Sequence, residues 1–344
     1  MKALQIVNPG KIRRIEMEKP VPQAGEVLLK LNYVGFCGSD LNTFRGRNAM
    51  AKPEVIPGHE VGATIEAFGE GVPDSLKPGM NVTVNPYTNC GVCPSCRNMR
   101  YNACENNETL GVQRDGAMRE YFCLPWGKII PAEGLSAKET ALVEPMSVGF
   151  HAVARAMVAE TDTVMVIGCG MVGLGAVVGA SSRGARVIAA DIDKEKLELS
   201  KQMGASYVLD TTDASFHKNL REITGGNGPD VIIEAVGSPA TYRLAIDEVA
   251  FTGRVTFIGY SKSEVCFDTS LFVKKELDIR GSRNATPSDF EAVINYLKRG
   301  TCPTGRLISD IVSYETAQKA MEYWSENPGK VFRILLDTTD TPHR

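Results

Sequence analysis

The chain has 344 residues, enough for two domains, and at 43% hydrophobic it carries enough apolar material for two cores. A net charge of −3 excludes an extended nucleic-acid surface, which would need a basic excess. No apolar run reaches the roughly 18 residues of a membrane span, and the opening MKALQIVNPGKIRRIEMEKP has scattered charges and no apolar signal core, so a cytoplasmic location is expected.

Residues 1 to about 150 read as short strands and loops. GEVLLKLNYVGF and GHEVGATIEAFG run apolar or alternate and stop at glycine, the pattern of strands. Between them, GFCGSD sets Cys37 two residues before Ser39 and three before Asp40. An isolated cysteine is most often a small buried side chain, so this stretch alone leaves open a core thiol, a nucleophile or a metal ligand. PGHEVGA adds His59 and Glu60, and VEPMSVG adds Glu144. One thiolate, one imidazole and one or two carboxylates fit a catalytic zinc site, which takes mixed N, S and O ligands and keeps room for water or substrate. Taken singly, His59 also reads as a satisfied core imidazole, and Glu144 as a helix-start carboxylate before Pro145.

The nine cysteines are odd in number, and in a reducing compartment they are not expected to form disulfides. CGVCPSCRNMRYNAC spaces Cys90, Cys93, Cys96 and Cys104 as C-x2-C-x2-C-x7-C. Four thiolates close a tetrahedral zinc site with no open position, a structural site holding a lobe at about 86–106. An iron–sulfur cluster takes the same ligands. A zinc ribbon reading nucleic acid is the poorer alternative, because Arg97 and Arg100 are the only cations on that loop.

From about residue 163 the texture changes. VMVIGCG, RVIAAD, SYVLD, DVIIEAVG and RVTFIGY are predicted strands, with helices over MVGLGAVVGASSRG and KEKLELSKQMGA. Strands alternating with helices imply an α/β, doubly wound parallel sheet. Gly168, Gly170 and Gly173 form G-x-G-x-x-G between the first strand and its helix. They allow a tight turn, close approach of a pyrophosphate and close helix–strand packing, with the phosphates at a helix N-terminus. Asp191 ends the next strand, where an acid hydrogen-bonds the adenosine ribose. Ile192 and Asp193 follow it, so a 2′-phosphate would meet negative charge and NAD is favoured over NADP. The pattern ends near residues 279–283. The tail, with helices over SDFEAVINYLKRG and YETAQKAMEYWSEN and a strand over KVFRILLD, reads as a return to the other domain.

GFCGSD, PGHEVGA, the four-cysteine lobe, VEPMSVG and GCGMVGLGA, in this order over nearly the whole chain, resemble the zinc-containing medium-chain alcohol and polyol dehydrogenases, the family of sorbitol and threonine dehydrogenases. The resemblance implies a split catalytic domain, 1–150 plus 284–344, built on a chaperonin-like β-barrel. It implies an NAD-binding Rossmann domain at 151–283, an active cleft between the two, and two zinc ions per chain in a homotetramer or dimer. Carried over by position, Cys37 and His59 are catalytic zinc ligands, Glu60 a ligating carboxylate, and Glu144 a carboxylate that binds zinc directly, through water or part of the time. Ser39 takes the alcohol proton and Asp40 orients the ligand histidine. Val172 supports the nicotinamide, Asp191 and Lys196 the adenosine ribose, and Arg333 the pyrophosphate, with the backbone around Val236, Ile258 and Ser282 along the dinucleotide. One position departs from the family: Asn42 stands where many members carry a relay histidine, and an amide is no acid–base relay at neutral pH.

The activity this implies is reversible NAD-dependent oxidation of a secondary alcohol on a small sugar-derived substrate, a polyol or a sugar acid. Arg45, Arg47, Arg114 and Arg283 lie on segments the family sets near the cleft, and arginine grips carboxylates bidentately. Amino-alcohol oxidation of the threonine type is the alternative within enzymes. A non-catalytic NAD-binding regulatory protein is the alternative outside them, with Asn42 as its only support.

Overall fold

In the computed structural model, residues 1–339 are described, so the last five residues of the expected 284–344 segment lie outside them. The chain divides into two compact units, Met1–Glu144 with Phe290–Arg344, and Pro145–Asp289. Both crossings fall in the first turn of a helix, Val143–Arg155 and Pro287–Leu297.

The first unit is organised by the strand Glu26–Phe36. It pairs antiparallel with Glu60–Phe68, Tyr121–Pro125 and Ile334–Asp337. The sheet extends through Asn81–Val84 to Ile129–Pro131 on one side and to Asp310–Val312 on the other. Two of the seven strands, Asp310–Val312 and Ile334–Asp337, thus come from the C-terminal tail. The inward residues Leu29, Leu31, Phe36, Ile65 and Val82 are buried in one core, joined by Ala3 and Leu4 of the flanking hairpin Lys2–Asn8 and Lys11–Glu16. Burial of this apolar face is the main favourable term, about 25 cal/mol per Å².

The second unit is a six-stranded parallel sheet. Its spatial order is Tyr207–Asp210, Arg186–Asp191, Thr163–Ile167, Val231–Glu234, Arg254–Phe257, Asp278–Gly281. In chain order that is third, second, first, fourth, fifth, sixth, the doubly wound order whose ligands bind beyond the carboxyl ends of the strands. Thr163–Ile167 and Val231–Glu234 are buried throughout, as central parallel strands must be. The sixth strand, DIRG, escaped sequence reading: it is a short edge strand, charged and mostly exposed. Among the described residues no helix is long and apolar enough to cross a membrane.

Candidate metal and nucleotide sites

Cys37 caps the helix Gly38–Phe44 with extended backbone, and Asp40 Oδ2 accepts from Cys37 N at 2.8 Å. This turn fixes the thiol at the end of the central strand. His59 directly precedes the neighbouring strand and Glu60 opens it, paired directly with Gly35. A Cβ on Gly35 would stand 2.2 Å from Glu60 Oε2, so only glycine leaves the carboxylate its space. Ligand atoms of Cys37, His59 and Glu60 all lie within 4.8 Å of one another.

Glu60 is fully buried, and Arg333 Nη1 approaches its Oε1 at 3.0 Å while donating to Phe36 O at 2.6 Å. Glu144 is also buried, and it accepts a hydrogen bond from the buried Tyr87 hydroxyl. Burial pushes the Glu144 carboxyl up against the opposing charge of His59. Burial likewise raises the Asp40 carboxyl to about 6, with His59 and the Cys37 amide pulling the other way. Burial pulls the His59 imidazolium down, but the Cys37, Glu144 and Asp40 charges outweigh it and hold His59 well above its ordinary value. The site gathers the carboxyls of Glu60, Glu144 and Asp40 and the Cys37 thiol around His59 in a buried setting, with Arg333 on Glu60.

His59 Nδ1, Glu60 Oε2, Asp40 Oδ1 and Ser39 Oγ are buried with no hydrogen-bond partner. Orphaned buried polar atoms are costly, about 1–3 kcal/mol each, and their clustering here calls for a ligand. A mixed S, N and O donor set suits zinc. The residues present fit the metal. Three placements bear on the sequence expectation. Glu144 is not among the atoms that converge within 4.8 Å. Asp40 bonds to the Cys37 amide, and its second oxygen and His59 Nδ1 do not bond to each other. Tyr87 was missed altogether, because its partner lies 57 residues away and nothing local marks it.

Cys90, Cys93, Cys96 and Cys104 also converge within 4.8 Å. All nine cysteines are free thiols, and Cys104 Sγ lies 3.6 Å from Cys90 Sγ and 3.8 Å from that of Cys93, well outside disulfide length. Backbone N–H groups of Val92 and Cys93 lower the Cys90 thiol to about 6, while burial raises Cys96 to about 12. Such a set closes around one tetrahedral metal with no open position.

In the second unit, Gly168 has φ +91°, and a Cβ there would stand 2.5 Å from Val236 Cγ2. A Cβ on Gly173 would stand 1.7 Å from Gly168 O, so helix and strand pack at glycine distance. Gly170 is different. Nothing lies within 4 Å of its missing Cβ, and it begins the helix Met171–Ser181 with no side-chain cap. That leaves open space beside first-turn N–H groups, a fit for a pyrophosphate. Asp191 ends its strand, accepting from Cys169 N at 2.6 Å and Asp193 N at 3.0 Å. Lys196 lies in the first turn of Lys194–Gln202. Val236, Ile258 and Ser282 each follow the carboxyl end of a parallel strand, and Val172 lies in the first turn of the glycine-rich helix. The expected cofactor residues of this unit therefore share one edge of one sheet. Arg333 belongs to the other unit, on Glu60. Of the arginines, Arg45 is engaged by Ser325, and Arg114 is half-buried with one bond to Pro86 O at 3.4 Å.

The zinc-binding dehydrogenase family matches residues 171–299, and the alcohol dehydrogenase GroES-like domain matches 23–134. The chain is 33% identical over 322 residues to an L-galactonate-5-dehydrogenase of Escherichia coli K12, covering 94% of each. It is 34% identical over 348 residues to a sorbitol dehydrogenase of Bacillus subtilis 168, covering 98% of this chain and 97% of that one. A crystal structure of an alcohol dehydrogenase from Escherichia coli CFT073, complexed with the cofactor NADH, superposes with a TM-score of 0.89 at 29% identity. That likeness covers 98% of this chain and 99% of the other.

Proposed function

The chain belongs to the zinc-binding dehydrogenases with a GroES-like alcohol dehydrogenase domain, and we propose that it reversibly oxidises a secondary alcohol of a polyol or sugar acid with NAD. It is a zinc-dependent, NAD-linked oxidoreductase of this type acting on a sugar-derived alcohol. The carrying observation is the convergence of Cys37, His59 and Glu60, with His59 Nδ1 and Glu60 Oε2 buried and unpartnered.

In this reading Cys37, His59 and Glu60 hold the catalytic zinc, with Glu144 beside them, and the four cysteines hold a structural zinc. Zinc, when bound, supplies a Lewis acid for the substrate oxygen, and NAD supplies the hydride acceptor. Ser39 Oγ accepts the proton of the substrate hydroxyl and hands it toward solvent. With Asn42 in the usual histidine position, water carries that proton onward. Arg333 restrains Glu60, and the family resemblance also gives it the pyrophosphate. Gly168, Gly170 and Gly173 cradle the phosphates, Asp191 and Lys196 take the ribose, and Val172, Val236, Ile258 and Ser282 line the dinucleotide. The carboxylates Glu60 and Glu144 make the site hydrophilic, which suits a polyhydroxylated substrate. The relatives' names, a galactonate and a sorbitol dehydrogenase, support the same class. A cytoplasmic homo-oligomer, dimer or tetramer, completes the reading, and light scattering tests the assembly.

The deciding experiment is metal analysis together with NADH formation at 340 nm over polyols, aldonates and threonine. Turnover of a polyol or aldonate is expected. Turnover of threonine alone would move the enzyme to the amino-alcohol class, and NAD binding with no turnover of any substrate would favour the regulatory reading.

A further inference from the structure

We propose that Tyr87 is a positioning residue whose hydroxyl fixes the orientation of the Glu144 carboxylate beside the Cys37–His59–Glu60 cluster. The inference rests on the zinc reading above. Tyr87 and Glu144 are each 4% exposed, so their contact is dry. A hydroxyl donating to a carboxylate is a charge-assisted, directional hydrogen bond. The Tyr87 hydroxyl is the donor, since a carboxylate oxygen can only accept. Cys37 and Glu60 also lie within electrostatic reach of Tyr87.

The backbone of Tyr87 is held at several points. Tyr87 N donates to Asn85 Oδ1 at 3.1 Å, and Tyr87 O accepts from Lys128 Nζ at 2.7 Å. Tyr87 forms an antiparallel bridge with Thr109. One residue further on, Thr88 N donates to Glu108 O at 3.2 Å, and Glu108 N donates to Thr88 Oγ1 at 2.7 Å. Between those two strands of contact lie Cys90 and Cys104, so the four-cysteine lobe is the loop this ladder closes. The hydroxyl is thus aimed by backbone that is itself pinned. Glu144 does not converge with the three ligand atoms, and the Tyr87 hydroxyl gives its carboxylate one fixed partner.

The test is a double-mutant cycle on the purified holoenzyme: wild type, Tyr87→Phe, Glu144→Ala and the double variant. The readouts are zinc release to a chelator, the visible spectrum of the Co²⁺-substituted catalytic site, and kcat and KM. Tyr87→Phe is expected to keep the four-cysteine metal and speed release of the other about tenfold, the low end of what lost orienting groups cost. It should also shift the cobalt spectrum and lower kcat more than it raises KM. In the Glu144→Ala background, Tyr87→Phe should add less than twofold to the release rate, because the residue acts through Glu144. Additive effects, or a Tyr87→Phe holoenzyme with the wild-type release rate and spectrum, overturn the proposal while leaving the zinc reading intact. Wild type with no metal at the Cys37–His59–Glu60 site overturns both. Should Tyr87→Phe lose the four-cysteine metal as well, Glu144→Gln decides. Its amide oxygen still accepts from Tyr87, so metal release slower than in Glu144→Ala is expected, and equal rates overturn the proposal.

Discussion

Gly35 pairs with Glu60 across the antiparallel ladder, and its missing Cβ leaves the space the carboxylate occupies. Gly35→Ala should push Glu60 off Cys37 and His59. The expected result is a 10–100-fold loss of catalytic metal affinity with the four-cysteine metal retained, read by chelator competition. Ser39 has a different position, since its Oγ is buried with no protein partner. Ser39→Ala should keep zinc and lose rate by about 10²–10⁴-fold, the range for a lost proton-transfer group. Full activity of that variant across the pH range would remove the relay assignment. Asp191 has two duties. It binds the amides of Cys169 and Asp193, and it stands where a ribose would hydrogen-bond. Asp191→Ala should raise KM for NAD, narrow the preference over NADP, and lower Tm as two amides lose their acceptor. NAD kinetics like those of wild type would show another acid in the ribose role.

Among the elements, the four-cysteine lobe has little apolar core of its own: the cysteines themselves are its buried cluster. Its order is then expected to come from the metal, as in other closed thiolate sites. Cys93→Ser should leave about one zinc per chain. Through the Tyr87–Thr109 bridge it should also alter the cobalt spectrum of the distant site, whereas a well-folded variant holding two zincs would rule the lobe out as a metal site. The helix Val143–Arg155 carries His151, which contacts Asp289 at 2.8 Å with both residues buried. Burial raises the Asp289 carboxyl, but the hydrogen bonds of His151 and Thr286 outweigh it and hold it below its usual range. A depressed carboxylate stabilises the fold above its unfolded pKa of about 3.9, and that stability is lost as pH falls through the lower folded value. Asp289→Asn should therefore cost stability at pH 7, about 1–3 kcal/mol for a buried charged hydrogen bond. It should also flatten the loss of stability below about pH 4, as read by urea unfolding across pH. An unchanged acid slope would mean that other carboxylates carry it.

Over the whole molecule, what the sequence determined by itself was whatever depends on neighbours along the chain. The period of apolar residues marks strands and helices, and glycine spacing marks a turn that tolerates phosphate. The C-x2-C-x2-C-x7-C run marks a closed metal site, because a few residues of loop suffice to bring the thiols together. Cys37, His59 and Glu60 were readable as candidates by residue type, and the resemblance in motif order joined them. Their convergence within 4.8 Å was decided only in the folded chain, where the ladder sets Glu60 against Gly35. So were the Arg333 contact to Glu60 and the Tyr87 contact to Glu144. Arg333 and Glu60 are 273 residues apart, and Tyr87 and Glu144 are 57 apart. No local pattern encodes such pairs, because they form only when separate strands, helices and loops are packed and water is driven out. Burial then makes each lone polar atom costly enough to select its partner.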